Sequence, residues 1–316
     1  MSGLALLAGW AADRATGDPR RWHPVAGFGR AAAAVEGRLW RDSRAAGALF
    51  AAACVGLPAA AALGADVALA RARWTGVGGW LRAGLLAGLT WAALGGRSLG
   101  REAEGIAGAL EAGDLAGARA RLPALVGRDP AGLDEAEVCR AVCESVAENT
   151  ADAVVGPLLW GALAGPAGVV AYRCANTLDA MVGHRNARYE RFGWAAARLD
   201  DLLTWLPARL AVLLAAACAP LAAGEGPAAL AVARRDGHRH PSPNAGPVEA
   251  AFAGALGLRL GGRNVYGARV ELRGPLGDGA LPDPGAIRRC ARLSALVGTG
   301  AAMVSAALAL WLRGAR

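Results

Sequence analysis

The chain has 316 residues, 54% of them hydrophobic but only 5% aromatic, with a formal net charge of +8 and a mean hydropathy of +0.30. All 34 basic residues are arginine, which excludes a Walker-A lysine, a Schiff-base lysine and a lysyl nucleophile. The apolar mass is mainly Ala, Leu, Val and Gly, a membrane composition more than a soluble one, and the arginines lack the interleaved aromatics of a nucleic-acid stripe, so no nucleic acid is expected as a partner.

The N-terminal "MSGLALLAGWAADR" has no positive leading region and reaches Asp13 too soon for a standard signal peptide, so it reads as a short apolar helix. A polar, arginine-rich segment, 12–44, follows, centred on "GDPRRWHPVAGFGR". Apolar runs at 45–70 and 76–94 are long enough to cross hydrocarbon. Residues 97–152 read as amphipathic helices punctuated by Asp and Pro, with "RDP" at 128–130 as a breaker. Asp134 and Glu137 form a capping-box pattern, opening a helix expected to reach about Asp152.

At 100° per residue, Glu137, Glu144, Glu148 and Asp152 share an arc of roughly 80°, with Arg140 beside them. A solvated acidic face accounts for Glu137. Glu148 and Asp152, however, stand where the chain turns apolar, and ionisable groups at a bilayer boundary are usually paired or functional. Carboxylates one turn apart suit Mg²⁺ and, through it, a nucleotide phosphate.

The run 153–172 carries Pro157, Pro166 and four glycines, which predicts a broken or re-entrant helix. The polar stretch 173–201 follows, in which Asn176 and Asp179 share a helical face and Asp200 with Asp201 is expected to N-cap the next apolar run, 202–223. Arg209, inside that run, is expected in a buried ion pair. Segment 224–290 is the least membrane-like; its His238 and His240 have His-x-His spacing, open to zinc or to phosphate or carboxylate binding. A last apolar run occupies 293–312. Six cysteines form no CxxC pair and read as packing residues, with Cys139 and Cys143, one turn apart, the only candidate metal or redox pair. The expected fold is all-α, a single polytopic integral membrane domain over 1–316 with broken or re-entrant helices and polar cytoplasmic loops; an Ala-rich soluble helical bundle is the alternative.

The strings "GDPRRWHPV", "ESVAENTADAVVGPLLW", "YRCANTLDAMVGHRNARYERFGWAAARLDDLLTWLPARL" and "RDGHRHPSPNAG…EAAFAGALGLRLGG" occur in that order between about Asp13 and Gly262. Together they resemble the cobalamin-biosynthesis CobD/CbiB family, the membrane-bound adenosylcobinamide-phosphate synthases. His184 departs from the pattern, where Tyr is more usual. The resemblance implies ATP-dependent amide formation between the free propionate of adenosylcobyric acid and aminopropanol or its O-phosphate. The expected co-substrate and cofactor are ATP and Mg²⁺, without a tightly bound prosthetic group.

Matched to that chemistry, Glu144, Glu148, Asp152 and Asp179 are the candidate Mg²⁺ ligands, and Arg185, Arg188 and Arg198 the candidate phosphate-binding groups. His23 or His238 would take the proton of the attacking amine, with Glu148 and Asp179 also counted as catalytic. Asn176, Asn186 and Asn244 would hydrogen-bond corrin amides, or satisfy backbone in turns. The implied setting is the inner membrane, with a site facing the cytoplasm as the five arginines in 173–201 favour. Lipid, neighbouring pathway enzymes or a second copy of the chain are the remaining expected partners. The rival readings are a corrinoid-binding or transporting membrane protein and a membrane regulatory protein of the AmpE type.

Overall fold

Long runs of Ala, Leu and Val satisfy their backbone groups internally only as helices when no water is at hand, and that is what they form. The computed structural model describes all residues except 19–22, 72–76, 128, 185, 267–268 and 315–316. The protein is an all-α membrane protein that also carries a β-hairpin. Among the described residues, four helical stretches are long and apolar enough to cross a membrane: Arg44–Arg71, Glu135–Val182, Trp194–Ala222 and Pro284–Leu312.

The chain divides into two compact units. The first comprises Met1–Gly95, Gly156–Thr204 and Ala302–Arg316. It contains α1 (Ser2–Thr16), α2 (Pro24–Leu39), α3 (Arg44–Arg71), α4 (Gly78–Ala93), α8 (Gly156–Val182), the start of α9 (Trp194–Cys218) and the end of α12 (Pro284–Gly314). Phe50 and Phe192, ring centroids 5.1 Å apart, centre one core with Val55, Leu178 and Val182; Leu6, Leu86, Val169 and Ala309 form another. Small residues allow the close approach. A Cβ at Gly47 would strike the Phe192 carbonyl, and one at Gly156 would fall on the Tyr172 ring. Leu57, Leu63, Trp80 and Leu81 point outward, each at least half exposed, an apolar surface that suits lipid.

The expected broken helix is present. Gly165 leaves the helical conformation (φ 61°, ψ −146°) immediately before Pro166. Two boundaries differ from expectation. Helix α8 does not stop near Tyr172 but continues to Val182, and α9 begins at Trp194, so Asn176, Asp179, Asp200 and Asp201 all lie on helices. Asp200 and Asp201 therefore do not cap α9. Asn176 of α8 and Asp200 of α9 bond one another, while Asp201 pairs with Arg198 on its own helix, so neither aspartate serves as a cap.

The second unit comprises Gly96–Val155 and Trp205–Ala301. It holds α5 (Gly96–Glu111), α6 (Leu115–Arg121), α7 (Glu135–Thr150), a π-helical turn (Ala151–Val155), α10 (Gly226–Asp236), α11 (Ala245–Leu256) and the remainders of α9 and α12. The capping box on α7 is formed: Asp134 accepts from the Glu137 N–H at 2.8 Å and Glu137 accepts from the Asp134 N–H at 3.1 Å. The hairpin, β1 (Leu260–Tyr266) antiparallel to β2 (Arg269–Leu276), was not expected from the sequence. Its register slips between Leu260 and Gly262, where Gly261 and Gly262 take φ values of 81° and 100°. Only glycine accepts such angles without strain.

Candidate functional site

In the second unit the acidic arc of α7 is not a solvated face. Glu144 is 2% exposed; its Oε1 accepts from Arg140 Nη1 at 3.0 Å and from the Gly261 N–H at 2.9 Å. Arg140 also donates to Asn264 Oδ1 and to the Arg263 carbonyl, both at 2.9 Å. The buried pair thus ties the hairpin to α7, and the bulge at Gly261 turns out the N–H that Glu144 receives. Glu148 occupies the last turn of α7 and Asp152 the π turn that follows, both half-buried. Among the described residues, no three His, Cys, Asp or Glu side chains gather closely enough to hold a metal ion by themselves.

The segment Gly237–Asn244 carries two histidines with different surroundings. His238 is exposed on a 3₁₀ turn. His240 is buried; its Nδ1 accepts from the Ser242 N–H at 3.0 Å and its Nε2 lies 3.6 Å from the buried Glu249. The side chains do not act as a pair, so the His-x-His spacing is not a zinc motif here. Burial first, and the neighbouring Arg273 second, push the His240 pKa down to about 4. Asp236 is fully buried and bonded by Arg235 at 2.6 Å, by Arg239 at 3.1 Å and by the Gly277 N–H at 2.9 Å. The Arg235 hydrogen bond is the main cause that holds its carboxyl below the usual range. Asn244 accepts from Arg209 Nη1 at 2.7 Å, and Arg209 stacks on Trp205 at 4.9 Å. The partner of Arg209 is therefore an amide, not the carboxylate expected for an ion pair.

In the first unit a polar chain runs between α8 and α9, helices apolar enough to lie in hydrocarbon. Arg173 Nη1 donates to Asn176 Oδ1 at 3.2 Å, and Asn176 Nδ2 donates to Asp200 Oδ1 at 3.3 Å. Thr204 donates to Asp200 at 3.4 Å and lies 3.3 Å from the Tyr172 hydroxyl. Asp179, one turn beyond Asn176, is within electrostatic reach of both Asp200 and Asp201, and its carboxylate fills the space a Cβ at Gly183 would take. Ionisable groups held at such depth are costly and mark functional sites. Arg173 and Tyr172 were not singled out from the sequence, and Asp200 was read there only as a helix cap; the inward face shared by 173, 176 and 200 becomes visible only once both helices are extended.

The other expected site residues of this unit have structural partners. His23 caps α2, its Nδ1 accepting from the Val25 N–H at 3.2 Å and its Nε2 lying 3.8 Å from Asp18, so both ring nitrogens are engaged. Arg188 bonds Glu36 at 2.9 Å and lies over Trp40 at 4.8 Å; the Glu36 hydrogen bond is the main cause that raises its pKa. Asn186 accepts from the N–H groups of Arg188 and Tyr189 at 3.0 and 2.9 Å, the turn role that was the alternative for it. Arg198 makes an exposed pair with Asp201 at 2.9 Å. Arg185 lies outside the described residues. Cys139 and Cys143 are buried thiols in the second unit, and Cys143 shares a hydrogen bond with Cys290, so they pack rather than bind metal.

Comparison with known proteins assigns the chain. The family model described as CobD/Cbib protein matches residues 6–294. The "Cobalamin biosynthesis protein CobD" of Mycobacterium tuberculosis (strain CDC 1551 / Oshkosh) is 48% identical over 305 residues, 96% of this chain and 95% of that protein. The protein of the same name from Pelobacter propionicus is 43% identical over 323 residues, 98% and 95% of the two chains. That from Rhodobacter capsulatus is 45% identical over 266 residues, 83% and 81%. No solved structure matches. With a family model spanning most of its length and relatives at this identity, the chain belongs to the CobD/Cbib family of cobalamin-biosynthesis proteins.

Proposed function

We propose that the protein is an acid–amine ligase that joins aminopropanol, or its O-phosphate, to the free propionate of adenosylcobyric acid at the expense of ATP. The observation that carries this reading is the placement of Glu148 and Asp152, one at the end of α7 and one inside the π turn. Single π turns inside helices recur at functional sites, and this one sets a carboxylate at the threshold of an apolar helix.

Mg²⁺ keeps much of its water and is commonly bound by one or two carboxylates together with substrate phosphates. Glu148 and Asp152 fit that need without a third protein ligand, whereas Glu144 already serves Arg140 and the hairpin. Bound Mg²⁺ with ATP would supply the activating group and neutralise phosphate charge. Arg198 is available to phosphate, because an exposed ion pair such as that with Asp201 exchanges at little cost. Asp179 is the group we assign to receive the amine proton, with exposed His238 as the second candidate; His23 would have to give up its helix cap to accept one. The inner membrane, with 173–201 on the cytoplasmic side, is the setting this reading requires.

A corrinoid transporter is favoured by one feature, the Gly165–Pro166 break in α8, and it requires no ATP. The deciding experiment supplies detergent-solubilised protein with adenosylcobyric acid, aminopropanol O-phosphate and Mg-ATP and follows amide product by mass spectrometry. Product that depends on ATP and falls at least about 100-fold in Glu148→Gln, a loss typical of a removed electrostatic group, is the expected result. Corrinoid binding without product from either form of aminopropanol would favour transport.

A further inference from the structure

Where α3 and α9 begin, the first unit holds an open cavity of about 460 Å³ walled by Ser43, Arg44, Ala45, Glu190 and Arg191. It lies between the bend that enters α3 and the turn that enters α9. The two helix starts are closely joined. The space a Cβ would need at Gly47 is taken by the Phe192 carbonyl, and the Arg44 guanidinium lies over the Trp194 ring at 5.4 Å. Arg44 makes no ion pair among the described residues. Arg191 makes an exposed pair with Asp42 at 3.4 Å, a kind of contact that exchanges at little cost. Two guanidiniums against the one carboxylate of Glu190 leave the wall net positive.

Around the cavity the surface changes polarity in the same order along both helices. Arg41, Asp42, Arg44, Glu190 and Arg191 are exposed at the outer end. Trp40 and Trp194 stand beside them, each under a guanidinium, that of Arg188 at 4.8 Å and that of Arg44. Leu49, about 7.5 Å further along α3, and Leu202, about 12 Å further along α9, are both more than half exposed, and both helices belong to candidate spans. Charge, then indole, then bare hydrocarbon is the order in which a membrane protein meets water, headgroups and acyl chains. The cavity therefore lies at headgroup depth, where the abundant ligand is a phosphate diester. Guanidinium–phosphate bonds are charge-assisted and commonly bidentate. Among the described residues, no lining side chain is a large apolar or aromatic group that would receive a nucleotide base.

We propose that this cavity binds the headgroup phosphate of an anionic phospholipid between the guanidiniums of Arg44 and Arg191. The assignment does not depend on the ligase reading and uses arginines that reading leaves aside. The cytoplasmic side, which the arginines of 173–201 favour, is the side whose leaflet attracts basic groups through its anionic lipids. A lipid held here bridges the bend before α3 and the turn before α9, and so fixes the segment that joins α8 to α9. One basic group at an anionic bilayer surface is worth about fivefold in affinity, which sets the size of effect to look for.

The test is native mass spectrometry of the full-length protein in detergent, titrated with phosphatidylglycerol and, separately, with phosphatidylcholine carrying the same acyl chains. The wild type is expected to hold one phosphatidylglycerol at least about fivefold more tightly than phosphatidylcholine. Arg44→Gln and Arg191→Gln are each expected to weaken phosphatidylglycerol by about fivefold and to leave phosphatidylcholine alone. Arg71→Gln, at the opposite end of α3, is expected to change neither. Glu190→Gln is expected to tighten phosphatidylglycerol, a gain that a misfolded variant cannot imitate. Equal binding of the two lipids, undiminished binding in Arg44→Gln, an equal loss in Arg71→Gln, or no gain in Glu190→Gln overturns the assignment. So does inorganic phosphate that binds the wild type and is lost in Arg44→Gln while the two lipids bind alike, which would give the cavity to a soluble phosphate.

Discussion

His240 shows how a polar side chain can be spent on the fold in a segment rich in candidate site residues. Its Nδ1 holds the Ser242 N–H and its Nε2 faces Glu249, with Arg273 and Glu271 completing the buried surroundings. The folded pKa of about 4 lies below the ordinary value of 6.5, so between these values the unfolded chain binds more protons than the folded one. Stability is then complete above pH 6.5 and declines as pH falls towards 4, by about 3 kcal/mol if the whole shift is expressed. Melting in detergent at pH 7.5 and pH 5 is expected to show a lower midpoint at pH 5, and His240→Gln is expected to flatten the difference. An unchanged pH response in that variant would assign the acid lability to other groups. Asp236 acts only at lower pH: its depressed pKa leaves its stabilisation intact above the usual carboxylate range and removes it below.

At the scale of elements, what the sequence disclosed follows from which physical signals are local. The capping box at Asp134 and the broken helix at Gly165 each declare themselves within a few residues, and both are present, whereas the run 76–94 forms a helix of only 16 residues that is not among the four long enough to cross a membrane. The hairpin was passed over because "LGGRNVYGARVEL" alternates only weakly and arginines interrupt it, although Val, Tyr and a central Gly are strand and turn signals. Partner choice was also illegible. Nothing near Glu144 in the chain says that it will bond Gly261, 117 residues away, so its assignment to a metal rested on spacing alone. The same limit hid the link from Arg173 through Asn176 to Asp200. The bulge offers a direct check on the hairpin. Gly261→Ala places a Cβ against the Gly274 carbonyl at a φ of 81°, and is expected to cost at least about 1–2 kcal/mol from the backbone conformation alone. Chemical denaturation would measure the loss, while proteolysis within 260–276 would show whether the hairpin detaches first.

For the molecule as a whole, the bilayer replaces water as the solvent for much of the surface, and this explains why Leu57, Trp80 and Leu213 can stand more than half exposed without constituting an aggregation hazard in the cell. Orientation follows from charge. The arginines from 173 to 201 favour retention on the cytoplasmic side, so a cysteine introduced by Ala187→Cys, at an exposed position, is expected to react with a membrane-impermeant maleimide in inverted vesicles and not in intact cells. Labelling from the periplasm alone would refute the proposed facing of the site. The burial of the native thiols has a practical consequence for that experiment. Cys54, Cys139, Cys143, Cys174 and Cys290 are buried and Cys218 is half-buried within a candidate span, so the wild-type chain is a nearly silent background, and a single engineered thiol can be read without first stripping the protein of the sulfur that packs its interior.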